Sequence, residues 1–333
     1  MTHSILVTGG AGYIGSHVTR QLAEHGHRVT VLDDLSTGFA KAVLGAELVI
    51  GDTGDRVLVE SLLRERDIDS VMHFAAKTIV PESVENPLLY YRNNTANSRN
   101  LLECCLATGV KNFVFSSTAA VYGDLQGKQA DEQTVPVPVN PYGQSKLMTE
   151  QMLRDVSSVT PLKHVVLRYF NVAGSDPECR IGQSTEQATL LIKVACETAI
   201  GKREQLSIFG TDYPTPDGTG VRDYIHVEDL AVAHLRALGY LASGGSSTTF
   251  NCGYGHGYSV RAVISAVERA IGRPLPVSEQ PRRAGDPAEI VARSDRIRSE
   301  LGWTPAHDNL DFIVKTSLAW ERKLHQTVKS ASV

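Results

Sequence analysis

Short apolar runs alternate with amphipathic stretches through the first half of this chain. Residues 5–8, 28–32, 47–50, 70–74 and 112–116 are predicted strands, each bounded by turn-forming or charged residues. Between them, residues 15–25, 57–66 and 94–108 carry apolar side chains at helical spacing. Strands that alternate with helices imply crossover connections, and so a parallel sheet covered on both faces. Short linkers and right-handed crossovers make such a sheet doubly wound, which gives an α/β fold.

Past Phe170 the rhythm loosens. A polar stretch over 174–187 precedes a predicted helix over 189–200, and a Pro-, Gly- and Asp-rich loop fills 210–220. Two later helices are expected near 260–271 and 311–323, flanking a Pro/Arg-rich loop. The pattern predicts a larger domain over 1–173 and a smaller, loop-rich domain over 174–333. The helical run 227–241 suggests that 222–252 returns to the first. Residues 326–333 are polar and expected to fray.

Composition narrows the function classes. Across 333 residues, 33 basic and 37 acidic side chains leave a net charge of −4, so bulk electrostatics favour neither nucleic acid nor a membrane surface. No apolar run is long enough to cross a bilayer, and residues 1–4 lead into the first strand without a secretory pattern. Five cysteines without CxxC spacing fit reduced thiols, and hence a cytoplasmic setting. The 11 histidines are scattered without HExxH, so no metal is expected.

Thr8-Gly9-Gly10-Ala11-Gly12-Tyr13-Ile14-Gly15 lies between the first strand and the first helix. Small residues at Gly9, Gly12 and Gly15 allow a tight turn and let a pyrophosphate approach the helix N-terminus. About twenty residues on, the second strand ends in Asp33-Asp34, where a carboxylate can accept from a ribose diol. It would repel a 2′-phosphate, and Leu35-Ser36-Thr37-Gly38 contains no arginine to offset that repulsion, so NAD is expected rather than NADP. Asp52-Thr53 follows the third strand and could reach the adenine. The first domain is therefore expected to be Rossmann-type.

Asn140 and Pro141 form a helix start, which places Tyr142 and Lys146 one turn apart on the same face. A free phenol titrates near 10, but a neighbouring ammonium favours its anion, yielding a group able to take a hydroxyl proton. Thr118, near the end of the fifth strand, could hydrogen-bond both phenol and substrate.

Together these residues resemble the extended short-chain dehydrogenase/reductase family, and within it the nucleotide-sugar epimerases. The resemblance runs through TGGAGYIGSH, DDLSTG, MHFAAK, FSSTAAVYGD, NPYGQSKLMTE, LRYFNVAG, IFGTDYPTPDGTGVRDYIHVEDLA and PRRAGDPAE. It implies Tyr142 as proton acceptor with Lys146 and Thr118 beside it, and NAD contacts from Tyr13, Ile14, Asp33 to Gly38, Asp52, Thr53, Phe74, Ala75, Ala76, Lys77, Thr78, Asn93 and Phe170. A UDP-sugar would be held by Asn171, Thr189, Ser207, Phe209, Arg222, Arg283 and Asp286. The implied activity is C4 inversion between UDP-glucose and UDP-galactose through a 4-keto sugar, with NAD tightly bound. A homodimer through helices near 94–108 and 142–156 is also implied.

Departures from the family pattern are Lys77 one position before an expected lysine, and Lys193 at a usual proline. Ile290, of intermediate size, leaves UDP-N-acetylhexosamines and UDP-pentoses open as alternatives. Family dehydratases carry an Asp-Glu pair after the catalytic threonine; here Ala119-Ala120 stand there, which disfavours elimination. A non-catalytic NAD-binding sensor is the reading from another class, and it gives no reason to retain Thr118, Tyr142 and Lys146 together.

Overall fold

The computed structural model describes residues 2–125, 129–185, 189–283 and 286–331, with side chains described as far as Gln326. Its centre is a seven-stranded, wholly parallel sheet. The strands are β1 (Ser4–Thr8), β2 (Arg28–Asp33), β3 (Glu47–Ile50), β4 (Ser70–His73), β5 (Asn112–Thr118), β6 (Lys163–Tyr169) and, after intervening elements, β11 (Thr248–Cys252). Their order across the sheet is β11-β6-β5-β4-β1-β2-β3, the doubly wound arrangement that reverses direction between β1 and β4. The last two strands of this sheet in chain order, β6 and β11, extend the set predicted from alternation.

Helices α1 (Tyr13–Glu24), α2 (Arg56–Glu65), α5 (Asn97–Thr108) and α6 (Pro141–Val159) connect successive strands, with the short α3 (Val80–Glu85) and α4 (Pro87–Tyr90) preceding α5. One face of the sheet packs Leu6, Val71, Phe113 and Phe115 against Val59, Leu62, Leu101 and Leu153 of α2, α5 and α6. The other packs Ile5, Val7, Met72 and Val165 against α1 and against α8 (Val227–Ala242). Near-continuous apolar runs in the central strands follow from burial on both faces.

The helix predicted over 94–108 divides. Tyr91–Ala96 is a π-turn and the α-helix begins only at Asn97. The wider turn accommodates Asn94, whose buried side chain bonds both the peptide N–H and C=O of Lys77.

Beyond β6 lie β7 (Asn171–Ala173), α7 (Leu191–Ala199), β8 (Leu206–Phe209), β9 (Val221–Arg222), β10 (Tyr224–His226), β12 (Tyr258–Ser259), α9 (Val260–Ile271), β13 (Val277–Gln280), β14 (Glu289–Ile290), α10 (Asp295–Leu301) and α11 (Leu310–Ala331). They form three small sheets, β10-β7, β12-β9-β14 and β13-β8, laid beside the large one. Of the segment expected to fray, 326–331 departs from expectation, since α11 continues as helix to Ala331, and 332–333 lie outside the described residues. Ile313, Val314, Leu318 and Trp320 bury its apolar face, and packing against α7 and α9 anchors the helix, so its backbone ladder runs on into polar sequence.

Candidate active site

The carboxyl ends of the parallel strands share one edge, and the chemistry-bearing residues of the first half gather there. Gly9 follows β1, Asp33 closes β2, Asp52 lies two residues past β3, Phe74 follows β4, Thr118 closes β5 and Phe170 follows β6. Ligands of open α/β sheets sit along this edge, at the point where strand order reverses.

The glycines divide into two kinds. Gly9 has φ +72°, and a Cβ there would stand 2.6 Å from the Ala75 nitrogen; at Gly15 it would stand 2.2 Å from the Gly9 carbonyl. These two close the turn itself. A Cβ on Gly12 meets only the Gly9 carbonyl, at 3.3 Å. Gly12 is also the N-cap of α1 and offers no side chain to the first-turn N–H groups. An open, uncapped helix start fits a phosphate ligand.

Asp33 is buried and accepts from the Ala11 and Leu35 amides, both at 2.9 Å; burial pushes its carboxyl up from the usual range, and these bonds oppose the shift. Asp34 is exposed and turns back to Ser36. Of the acidic pair, Asp33 therefore faces inward. Thr37 is exposed, whereas Gly38 packs against Ala11. Asp52 bonds Asn97, and Thr53 is buried with its carbonyl bonded to Asn100.

Ile14, Ala75, Ala76 and Lys77 are partly buried around the same edge, the Phe74 ring packs tilted against His234, and Thr78 is exposed. The Tyr13 hydroxyl donates to the Gly174 carbonyl at 2.6 Å, tying α1 to the chain beyond β7. Asn93 bonds the neighbouring Asn94, which also holds Ser145. Glycine turn, open helix start and inward Asp33 thus fit a dinucleotide.

Asn140 caps α6 by accepting from the Gly143 amide at 2.9 Å, with Pro141 as the first helical residue. That start aims Tyr142 and Lys146 at the end of β5. Packing pushes the Tyr142 phenol above its usual value, and a hydrogen bond from Thr118 draws it back. Burial lowers Lys146 to about 7, with Glu150 opposing the fall. The Lys146 Nζ donates to the Ser116 carbonyl at 2.9 Å and lies 4.9 Å from the Phe115 ring centre. The lysine is therefore moored to strand β5, and the direct hydrogen-bond support for the phenol comes from Thr118.

Behind this trio lie buried polar residues that the local sequence patterns do not single out. Glu150, one turn past Lys146, pairs with Arg168 and accepts from Ser117. Arg168 also donates to Tyr122, which donates in turn to Asn251 on β11. His73 bridges Thr8 and Ser98, and burial drops it to about 3, with Lys146 adding to the fall, so it is neutral at physiological pH. A charged or polar residue inside an otherwise apolar strand, such as Arg168 in HVVLRY, was the available signal.

The expected nucleotide-sugar residues spread over the second half. Asn171 is partly buried at the start of β7. Arg222 on β9 forms an ion pair with Asp286 and is the register neighbour of Ile290. Arg283 is exposed, its guanidinium 3.7 Å from the ring centre of Phe209. Ser207, on β8 with Phe209, shares a 3.3 Å hydroxyl contact with Ser278. Arg282 pairs with Asp212 and covers Tyr213. Thr189 is exposed, before α7. Lys193 is buried instead, holding Glu321 of α11 and the Gln183 carbonyl.

A doubly wound sheet with a glycine-rich first turn and a Thr-Tyr-Lys cluster at its carboxyl edge defines a nucleotide-dependent enzyme of the short-chain dehydrogenase type. The chain belongs to the NAD dependent epimerase/dehydratase family, whose model matches residues 5–253. A UDP-glucose 4-epimerase of Azospirillum brasilense is 55% identical over 98% of this chain and 94% of that protein. Among solved structures, the UDP-glucose 4-epimerase from Brucella ovis in complex with NAD superposes with TM-score 0.93 at 40% identity, covering 96% of this chain and 98% of that one. The enzyme from Stenotrophomonas maltophila, solved with NAD and a formylated UDP-arabinopyranose, gives 0.95 at 38%, covering 98% and 99%.

Proposed function

We propose that this protein interconverts UDP-glucose and UDP-galactose by inverting C4 of the hexose, with NAD bound throughout. The observation that carries the reading is the trio at the end of β5: Thr118 beside the Tyr142 phenol, with Lys146 moored one turn along the same helix. Near-full-length similarity to UDP-glucose 4-epimerases supports the choice of sugar nucleotide.

NAD, when bound, supplies a hydride acceptor that becomes a donor later in the same turnover. Gly9, Gly12, Gly15 and the start of α1 would hold its pyrophosphate, Asp33 the adenosine ribose, and Phe74 to Lys77 with Phe170 the far end. Tyr142 takes the proton of the C4 hydroxyl as that carbon is oxidised to a ketone, and returns it on reduction. Thr118 orients the hydroxyl and donates to the phenolate as it forms. Lys146, held on the Ser116 carbonyl one turn along the helix, would add positive charge near the phenol in its protonated form.

Arg222 and Arg283 offer planar donors to the diphosphate, while Asn171, Ser207, Phe209 and Asp286 line the nucleotide path. Firm anchoring of the diphosphate leaves the planar 4-keto sugar free to present its opposite face. Residues 1–173 with 222–252 would form the NAD-binding part and 174–333 the sugar-nucleotide part. Among the described residues no helix is long and apolar enough to cross a membrane; the cytoplasm is the proposed location, from the five free cysteines. Exposed Leu106 and Met148 on α5 and α6 suit a homodimer through those helices.

The test is product analysis. Purified protein incubated with UDP-galactose is expected to yield UDP-glucose, and Tyr142→Phe protein to lose that conversion by about 10²–10⁴-fold. Nucleotide-loaded wild-type protein that converts neither sugar would remove the reading.

A further inference from the structure

Tyr169 closes β6, and in the sheet it is the register partner of Thr118 on β5. Ser116 lies two residues before Thr118, on the same face of that strand. The hydroxyls of Tyr169 and Ser116 share a hydrogen bond. Ser116 is also the residue whose carbonyl receives the Lys146 ammonium, at 2.9 Å. One serine therefore joins two elements: its backbone holds the lysine, and its side chain is held by a phenol from the next strand.

The surroundings keep that phenol neutral. Burial pushes Tyr169 well above its usual value, and the nearby Tyr142 pushes it further. Two phenols whose charges sense one another cannot both ionise at modest cost. Tyr169 keeps its proton, and its hydroxyl stays engaged with that of Ser116. Lys146 lies over Phe115, on the residue just before Ser116, so the end of β5 is what fixes its reach.

We propose that Tyr169 is a positioning residue for the catalytic pair: through Ser116 it locks the end of β5, and with it the carbonyl that moors Lys146 and the hydroxyl of Thr118 that supports Tyr142. The proposal rests on the epimerase reading for its kinetic readout, but not for its spectroscopic one. Removing the Tyr169 hydroxyl frees the Ser116 side chain and loosens both supports of the Tyr142 anion. The effect falls on proton transfer and leaves the diphosphate grip of the second half untouched.

The experiment compares wild-type, Tyr169→Phe and Ser116→Ala proteins, each purified with its nucleotide. The titration of Tyr142 is isolated as the tyrosinate absorbance lost when Tyr142→Phe is added to each background. Both variants are expected to raise its midpoint by about one pH unit, a tenfold change in ionised fraction. With UDP-galactose, kcat at neutral pH should fall about tenfold with KM unchanged, and the acidic limb of the pH profile should move upward by the same amount. The double variant should lose little more than either single one, because the two hydroxyls act as a unit. A wild-type midpoint and kcat in Tyr169→Phe protein overturn the proposal, as does a lowered melting temperature with an unmoved midpoint. Wild-type protein without turnover would instead count against the epimerase reading, and the titration would still decide the role of Tyr169.

Discussion

The guanidinium of Arg168 grips the carboxylate of Glu150 through two of its nitrogens, and the two side chains retain only 3% and 1% of their exposure. The pair joins β6 to α6 one turn from Lys146. Its desolvation is offset by further bonds to Ser117 and Tyr122, so removing one partner leaves a buried charge without its match. Glu150→Gln protein is expected to lose about 3–5 kcal/mol of stability, read by urea unfolding monitored by circular dichroism. A loss within 1 kcal/mol would mean that water reaches Arg168.

Glu228 gives the acid limb of stability a definite sign. Burial alone would raise it, but hydrogen bonding and charge from His17, with Arg20 and Gln21, outweigh burial and bring it to about 2. A carboxyl held below its unfolded value stabilises the fold above about pH 4.5, and that contribution disappears as pH falls toward 2. Wild-type stability should therefore drop by on the order of 2–3 kcal/mol over this window from Glu228 alone. Glu228→Gln should flatten the drop in denaturant midpoints measured between pH 5 and pH 2; an equally steep drop would show the group to be unperturbed.

The two kinds of glycine in the first turn are separable by mutation. Gly15→Val drives side-chain atoms into the Gly9 carbonyl, 2.2 Å from the new Cβ, and is expected to leave little folded protein. Gly12→Val should fold with a near-normal melting temperature, because its Cβ meets only one atom, at 3.3 Å. Its cost should appear as lost nucleotide: a tenfold or greater drop in NAD retained after gel filtration, read by absorbance. Full retention in Gly12→Val protein would place the pyrophosphate elsewhere.

Thr118 tests the support of the phenol without removing it. Thr118→Val preserves the side-chain shape but deletes the hydroxyl that lowers Tyr142, so the phenol should titrate higher and kcat should fall about 10–100-fold near neutrality. Raising the pH should recover part of the loss. Thr118→Ser, which retains the hydroxyl, is expected to stay within a few-fold of wild type. Equal damage from both replacements would point to packing rather than hydrogen bonding.

Local rules set the first half of the chain. Alternating runs, the Gly9-to-Gly15 turn, the aspartate closing β2 and the Asn140-Pro141 start of α6 are short-range patterns, and each carries its structure within a few residues. Helix spacing alone put Tyr142 and Lys146 on one face. The sheet edges were harder to see: β11 is separated from its neighbour β6 by the whole of the intervening chain from Tyr169 to Thr248. The π-turn at Tyr91–Ala96 was also out of reach, since only the partner Lys77 explains why Asn94 needs the wider spacing.

What the chain by itself determined was the repertoire: a parallel sheet, a phosphate turn, a phenol and an ammonium one turn apart. What tertiary structure decided was who holds whom. The Lys146 ammonium is held by a strand carbonyl, the Tyr142 hydroxyl by Thr118, Glu150 by Arg168 and Arg222 by Asp286. The physical reason is range. Periodicity and capping act over three or four residues, whereas a buried donor takes whichever acceptor the packing of distant strands brings within 3 Å.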